Sequence, residues 1–205
     1  MPASELRVGV FPQPHPEGVT GTAFLADSLA NGAGYATHLG QNAEQLIQAA
    51  RELAEDYRRH AAQGDGCDSS CYRCLRDYSN AAYHPLLDWR LAVDLLRLGT
   101  GDGIDYRQAD QLAQLLTRDF CRDFGWERAS AAGVPAAIDT SFTPLAMVVT
   151  HPLERQIFPL PARLAGARRQ LTARVIHGQP TQVAFASTYQ LVRRPGVVWS
   201  WLVSQ

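Results

Sequence analysis

Residues 66–80 read GCDSSCYRCLRDYSN and place Cys67, Cys71 and Cys74 within eight positions. Two cysteines separated by two residues can both reach one ion around a tight turn, and a third, three intervening residues upstream, stays within reach of the same ion. The residues between Cys67 and Cys71, and the glycine before them, are turn formers. A thioredoxin-type pair sits where a strand feeds a helix, and a third thiol so close makes the cluster a metal site first. A cysteine nucleophile needs a histidine base held by a third group, and no spacing here singles one out. The cluster is therefore expected to hold one structural Zn2+, with a fourth ligand still to be found. His84 is the first choice, because it lies a short loop beyond Cys74 and just before a predicted helix. Asp65 and Cys121 are the alternates. The first is a hard oxygen donor among sulfurs, and the second has an ordinary explanation as a buried core thiol.

The 205-residue chain is 46% apolar, enough to bury a core. No apolar run approaches the length of a membrane span, and the N-terminus lacks the basic-then-apolar layout of a secretory leader, so the expected location is the cytoplasm. In that reducing compartment four cysteines favour metal or buried thiols over disulfides. The chain contains no lysine. A P-loop is thereby excluded, so GTGDG at 99–103 is a glycine-rich turn, and neither Schiff-base chemistry nor an acid-plus-lysine nuclease centre can be assembled. No small-molecule substrate and no membrane partner are expected. Charge is uneven, with eight arginines against twelve acids up to residue 100 and eight against three from residue 126 onward. Arg163, Arg168, Arg169, Arg174, Arg193 and Arg194 in the tail, with Arg73 and Arg76 in the cysteine loop, are the candidate nucleic-acid contacts, against the plain alternative of a solvated basic face.

Hydrophobic periodicity predicts a strand at 6–12 ended by QPHPEG, a second around 23–25, and a glycine turn in DSLANGAGY. It then predicts an amphipathic helix over 41–63. A second helix is expected from His84-Pro85 to Gly99, burying Leu87, Leu91, Leu95 and Leu98. A third, 106–124, is expected to bury Ala109, Leu112, Leu115, Leu116 and Phe120 before Gly125 stops it. Residues 126–141 read as a loop or linker. LAMVVTH, ARLAGARRQLTARV and TQVAFAS then read as strand, helix and strand, and GVVWSWL as a final strand. The expected fold is mixed α/β (α+β): a zinc-stabilised helical region at 1–125, followed by a small basic α/β unit at 126–205, as two domains or as one.

The zinc segment resembles a known domain. Asp27, Gly32, Gly34 and Tyr35 precede a helix, then come Cys67, Cys71, Tyr72, Cys74, Leu75, Tyr78, Asn80, His84, Leu87 and Asp88. That order is similar to the cysteine-rich domain at the C-terminal end of large DEAD/DEAH-box helicases and their relatives, which include MrfA-type DNA-repair helicases and the DrmB subunit of the DISARM antiphage system. The resemblance implies a structural zinc on the three cysteines and His84. Members with a fourth cysteine carry it at the position of Asp65.

The resulting expectation is a non-catalytic, zinc-stabilised accessory module of a helicase-like DNA-processing complex, partnered by a helicase or ATPase subunit, or by preceding helicase domains, and by DNA. The chain carries no DEAD or DEAH box, so it is not expected to be an enzyme on its own. Two alternatives stand beside this reading. One is a degenerate nuclease or other metal-dependent enzyme built on Asp139, His151 and Glu154, and the other is a scaffold that binds only protein.

Overall fold

The computed structural model describes residues 6–16, 18–28, 32, 34–63, 67–141, 143–157 and 159–204. The fold is mixed, and it divides into two compact units, Met1–Ile104 and Asp105–Gln205.

In the first unit β1 (Leu6–His15) and β2 (Gly18–Asp27) form an antiparallel ribbon with Leu6 opposite Asp27 and His15 opposite Gly18. The first strand runs past the expected stop at Pro12 because an edge strand tolerates proline where no ladder partner is needed. α1 (Tyr35–Gln41) and α2 (Ala43–Ala62) follow, separated only by Asn42. A 3-10 helix, Tyr78–Leu86, precedes α3 (Trp89–Gly99). Leu87 and Asp88 separate these two because Asp88 is the N-cap of α3, its carboxylate accepting the Arg90 N–H at 3.0 Å. α2 and α3 pack through a small core of Ala54, Trp89 and Val93, with Tyr57, Ala61, Cys67, Leu75 and Leu96 against it. The buried stripe of α3 is thus Trp89 and Val93 rather than the expected leucines, and Leu95 is 61% exposed.

Asp27 and the glycines after it have structural work. The Asp27 carboxylate accepts the Ala36 N–H at 3.1 Å, which supplies an acceptor to the first turn of α1. A Cβ at Gly32 would lie 2.3 Å from the Cβ of Asp27, so only glycine lets the backbone pass that carboxylate. Residues 29–31 and 33 of the glycine turn lie outside the described residues.

The second unit begins with α4 (Tyr106–Phe124), which was grouped from sequence with the zinc region but packs on the tail sheet. Its buried positions are Ala113, Thr117, Phe120 and Cys121, while Leu115 is 50% exposed. The presumed linker is a hairpin of β3 (Glu127–Ala131) and β4 (Val134–Asp139), turned by Ala132 and Gly133 at φ 48° and 76°. Pro135 masked it. The β4–β5 ladder starts at Ala136, so the missing proline N–H falls outside that ladder. β5 (Leu145–Thr150) pairs antiparallel to β4. It pairs parallel to β8 (Gln182–Ser187) after the crossover helix α5 (Ala162–Thr172), giving the sheet order β3-β4-β5-β8. A short hairpin of β6 (Val175–Ile176) and β7 (Gln179–Pro180) interrupts the return.

α5 covers one face of this sheet through Leu164, Ala167 and Leu171. α4, α6 (Thr188–Arg193) and α7 (Pro195–Leu202) cover the other. GVVWSWL is therefore a helix and not a strand. Pro195 starts its first turn, Val198 and Leu202 share the buried face, and Trp199 stacks on Phe124 at 5.6 Å. Among the described residues no helix is long and apolar enough to cross a membrane.

Candidate metal centre

Cys67, Cys71 and Cys74 lie in the loop after α2 and converge as the sequence implies, but the fourth donor beside them is His60. All four donor atoms fall within 4.8 Å of one another. Cys67 Sγ is 3.7 Å and Cys71 Sγ 3.8 Å from Cys74 Sγ, and His60 Nε2 is 3.1 Å from Cys71 Sγ. A tetrahedral zinc with bonds of about 2.3 Å to sulfur requires an S···S edge of about 3.8 Å, so the thiol spacing fits that ion. The His60 edge is tighter than the ideal by a few tenths of an ångström and opens by a small ring shift.

The local backbone explains why the loop closes. The Cys74 and Arg76 N–H groups both donate to the Cys71 carbonyl, at 3.1 and 3.0 Å, folding the chain back over the pair. The Cys71 N–H points at Cys74 Sγ (3.1 Å) and the Arg73 N–H at Cys71 Sγ (3.3 Å), an arrangement that favours thiolate. The loop is pinned from outside as well. Trp89 donates its backbone N–H to the Ser69 carbonyl (2.8 Å) and its indole N–H to the Cys67 carbonyl (3.3 Å), and Arg76 Nε donates to Ser70 Oγ (3.0 Å). In the metal-free protein burial, helped by its hydrogen bonds to the other two thiols, pushes Cys67 up to about 12. Burial acts the same way on Cys71, but the Arg73 N–H and the hydrogen bonds from His60, Cys67 and Cys74 outweigh it and set that thiol at about 7.

His84, the expected ligand, is engaged elsewhere. Its Nε2 is 3.0 Å from the Asp77 carbonyl and 2.9 Å from Asn80 Oδ1. Both partners are acceptors, since Asn80 Oδ1 also takes the Asp77 N–H at 2.9 Å, so His84 Nε2 carries the hydrogen, and His84 is not among the residues whose donor atoms gather within 4.8 Å of one another. Asn80 is the hub of this second loop, its amide also donating to the Leu75 carbonyl at 2.9 Å. Asp65 lies outside the described residues. Cys121 is a core thiol of the second unit, 5% exposed and pushed up by burial.

His60 was legible in principle. It falls three residues after Tyr57, next to the Ala61 that packs on the α2–α3 core, and seven residues before Cys67. It is not among the fourth donors expected from sequence, His84, Asp65 and Cys121.

The remaining candidates separate. Arg163 is not a free cation: it forms a two-pronged pair with Asp110 (2.5 and 3.1 Å) and lies over the Tyr106 ring at 4.3 Å. Its Nε is 3.1 Å from Glu154 Oε1 but out of line for a hydrogen bond, so that contact is electrostatic. Arg193 covers Tyr189 at 4.5 Å. Arg73, Arg168, Arg169, Arg174 and Arg194 are exposed. Glu154 is fully buried, with Oε2 accepting the His151 N–H at 3.0 Å. Asp139 pairs with Leu145, at the opposite end of β5 from Thr150 and His151, so Asp139, His151 and Glu154 do not converge on one metal.

Comparison with known proteins gives this segment a zinc-binding family. Residues 1–75 match the family described as the MrfA Zn-binding domain. Over 74 residues the chain is 36% identical to the Druantia protein DruE of Escherichia coli (strain UMEA 4076-1). That stretch is 36% of this chain and 4% of the relative, so the chain matches only a small part of DruE. No solved structure matches. The family is a zinc-binding one, and His60, Cys67, Cys71 and Cys74 form a His/Cys3 donor set in this segment that fits one structural Zn2+.

Proposed function

We propose that the chain is a non-catalytic, zinc-stabilised accessory module of a helicase-like DNA-processing complex, cytoplasmic and serving antiphage defence or DNA repair, where it contributes nucleic-acid or partner binding. The observation that carries this reading is the closed donor set. Four protein ligands leave zinc no open position for water or substrate, so the ion ties α2 to the knuckle and supplies no hydrolytic chemistry. The likeness to a small part of the Druantia protein DruE and to the MrfA Zn-binding domain supports reading the chain as a zinc-binding module of a defence- or repair-type system. The chain has no Walker lysine, so in this reading ATP-driven work belongs to the partner.

The test is affinity purification of the tagged chain from its own cells, a search of the co-purifying proteins for a helicase-like ATPase, and DNA binding of the recovered complex over a salt series. Co-purification, with DNA affinity of the complex that falls as salt rises, is the expected result. A chain that neither joins the ATPase nor alters its DNA binding defeats the proposal.

A further inference from the structure

Two tyrosines of the zinc knuckle are presented outward in an arrangement that packing alone does not explain. Tyr72, between Cys71 and Cys74, is 59% exposed, and Tyr78, at the start of the 3-10 helix, is 87% exposed. Their ring centroids are 5.4 Å apart with planes tilted by 39°. A tyrosine ordinarily buries a large part of its ring in a core or an interface. Here the zinc loop spends two on solvent while holding them together.

The pair is held from behind. His84 meets the Tyr72 ring edge-on, at 5.5 Å and 87°, and its own ring is fixed by the Nε2–H bonds to the Asp77 carbonyl and Asn80 Oδ1. Asp77 in turn caps the 3-10 helix, accepting from the Ser79 N–H and hydroxyl at 2.8 and 2.6 Å. His84 and Asn80, both part of the motif that first suggested zinc, therefore brace an aromatic shelf.

We infer that Tyr72 and Tyr78 form a stacking platform for unpaired bases of single-stranded nucleic acid. The inference rests on the accessory-module reading and names the ligand of its zinc knuckle. Charge decides between bases and phosphates. In the sequence that carries the shelf, residues 67–90, three arginines (Arg73, Arg76, Arg90) stand against three aspartates (Asp68, Asp77, Asp88), so the segment has no excess of cations for a phosphate backbone. Exposed ring faces accept any base, and a duplex offers no free base faces to them. The platform thus selects open strands through stacking.

The experiment uses the full zinc-loaded chain and fluorescence anisotropy with labelled oligothymidylate of about 12 nucleotides, an abasic strand of equal phosphate count, and a duplex. Oligothymidylate is expected to bind more tightly than either control. Tyr78→Ala and Tyr72→Ala are each expected to weaken it about five- to 150-fold, the range seen when one base-stacking aromatic is removed, while Tyr78→Phe keeps it. Zinc content, one ion per chain, should be unchanged in all three variants. Equal affinity for the abasic strand, unchanged affinity in the alanine variants, or no binding of oligothymidylate overturns the platform. So does loss of ATPase co-purification in the alanine variants with strand binding intact, which would make the shelf a protein-docking surface. None of these outcomes touches the accessory-module reading, which stands or falls on assembly of the wild-type chain with the motor.

Discussion

Replacing His60 by alanine removes one of four zinc donors, and replacing His84 removes none. The consequence can be scaled from the geometry. A structural zinc site contributes about 10–16 kcal/mol of binding energy at neutral pH, so an even share for each of four ligands is about 2.5–4 kcal/mol. That corresponds to a loss of zinc affinity of about 70- to 900-fold for His60→Ala. Because the knuckle sits on Ala61, Tyr57 and Trp89 in the α2–α3 core, the same loss should appear as earlier thermal unfolding of the first unit. His84→Ala breaks the contacts to Asp77 and Asn80 and the edge on Tyr72, a local loss of about 1–3 kcal/mol that leaves the donor set intact. Zinc release to a chromogenic chelator, followed on purified wild-type and variant chains, separates the two. Fast release from His60→Ala with wild-type retention in His84→Ala is the expected result. Release from His84→Ala with retention in His60→Ala would refute the assignment and return the fourth ligand to the position first read from sequence.

Three further outcomes are expected. In the second unit Phe120→Ala should cost about 3–5 kcal/mol in urea unfolding and Leu115→Ala less than about 1 kcal/mol, since only the first side chain is in the core; equal costs would mean that α4 is turned differently. Asp88→Ala should destabilise the first unit by about 0.5–2 kcal/mol through loss of the α3 cap, measured by zinc-loaded thermal melting, and an unchanged melt would remove the cap from the account. Burial raises the Glu154 carboxyl above its ordinary value, so the folded state holds that proton more tightly than the unfolded chain does. Its contribution to stability is then greatest below the unfolded value and is lost as pH rises from there through the folded one. Glu154→Gln should flatten that part of the stability curve in urea titrations from acid to neutral pH, and identical curves would show that Glu154 is not the titrating group.

What the sequence disclosed follows from how local each signal is. The three thiols, the bounds of α4 and the β5–α5–β8 crossover each rest on contiguous spacing or periodicity, and each stands in the structure as read. The misreadings share a cause: tertiary contacts override a local cue. Pro135 and a run of small residues looked like a linker, yet alanine is the right size where β4 is covered by helices on both faces of the sheet. Valine and tryptophan in GVVWSWL favour strand by propensity, but the i, i+4 pair Val198 and Leu202 finds a core only as a helix. The fourth ligand is the instructive case. His84 was chosen because it lies in the motif and near a helix start, and the structure gives it another task there. His60 sits in a run of arginines and alanines that reads as ordinary helix surface, and only the return of the chain after Cys67 brings its ring to the thiols. A metal site is a set of positions in space, so a ligand at the end of the preceding helix is as available as one in the loop beyond. The search for a fourth donor has to run in both directions from a cysteine pair.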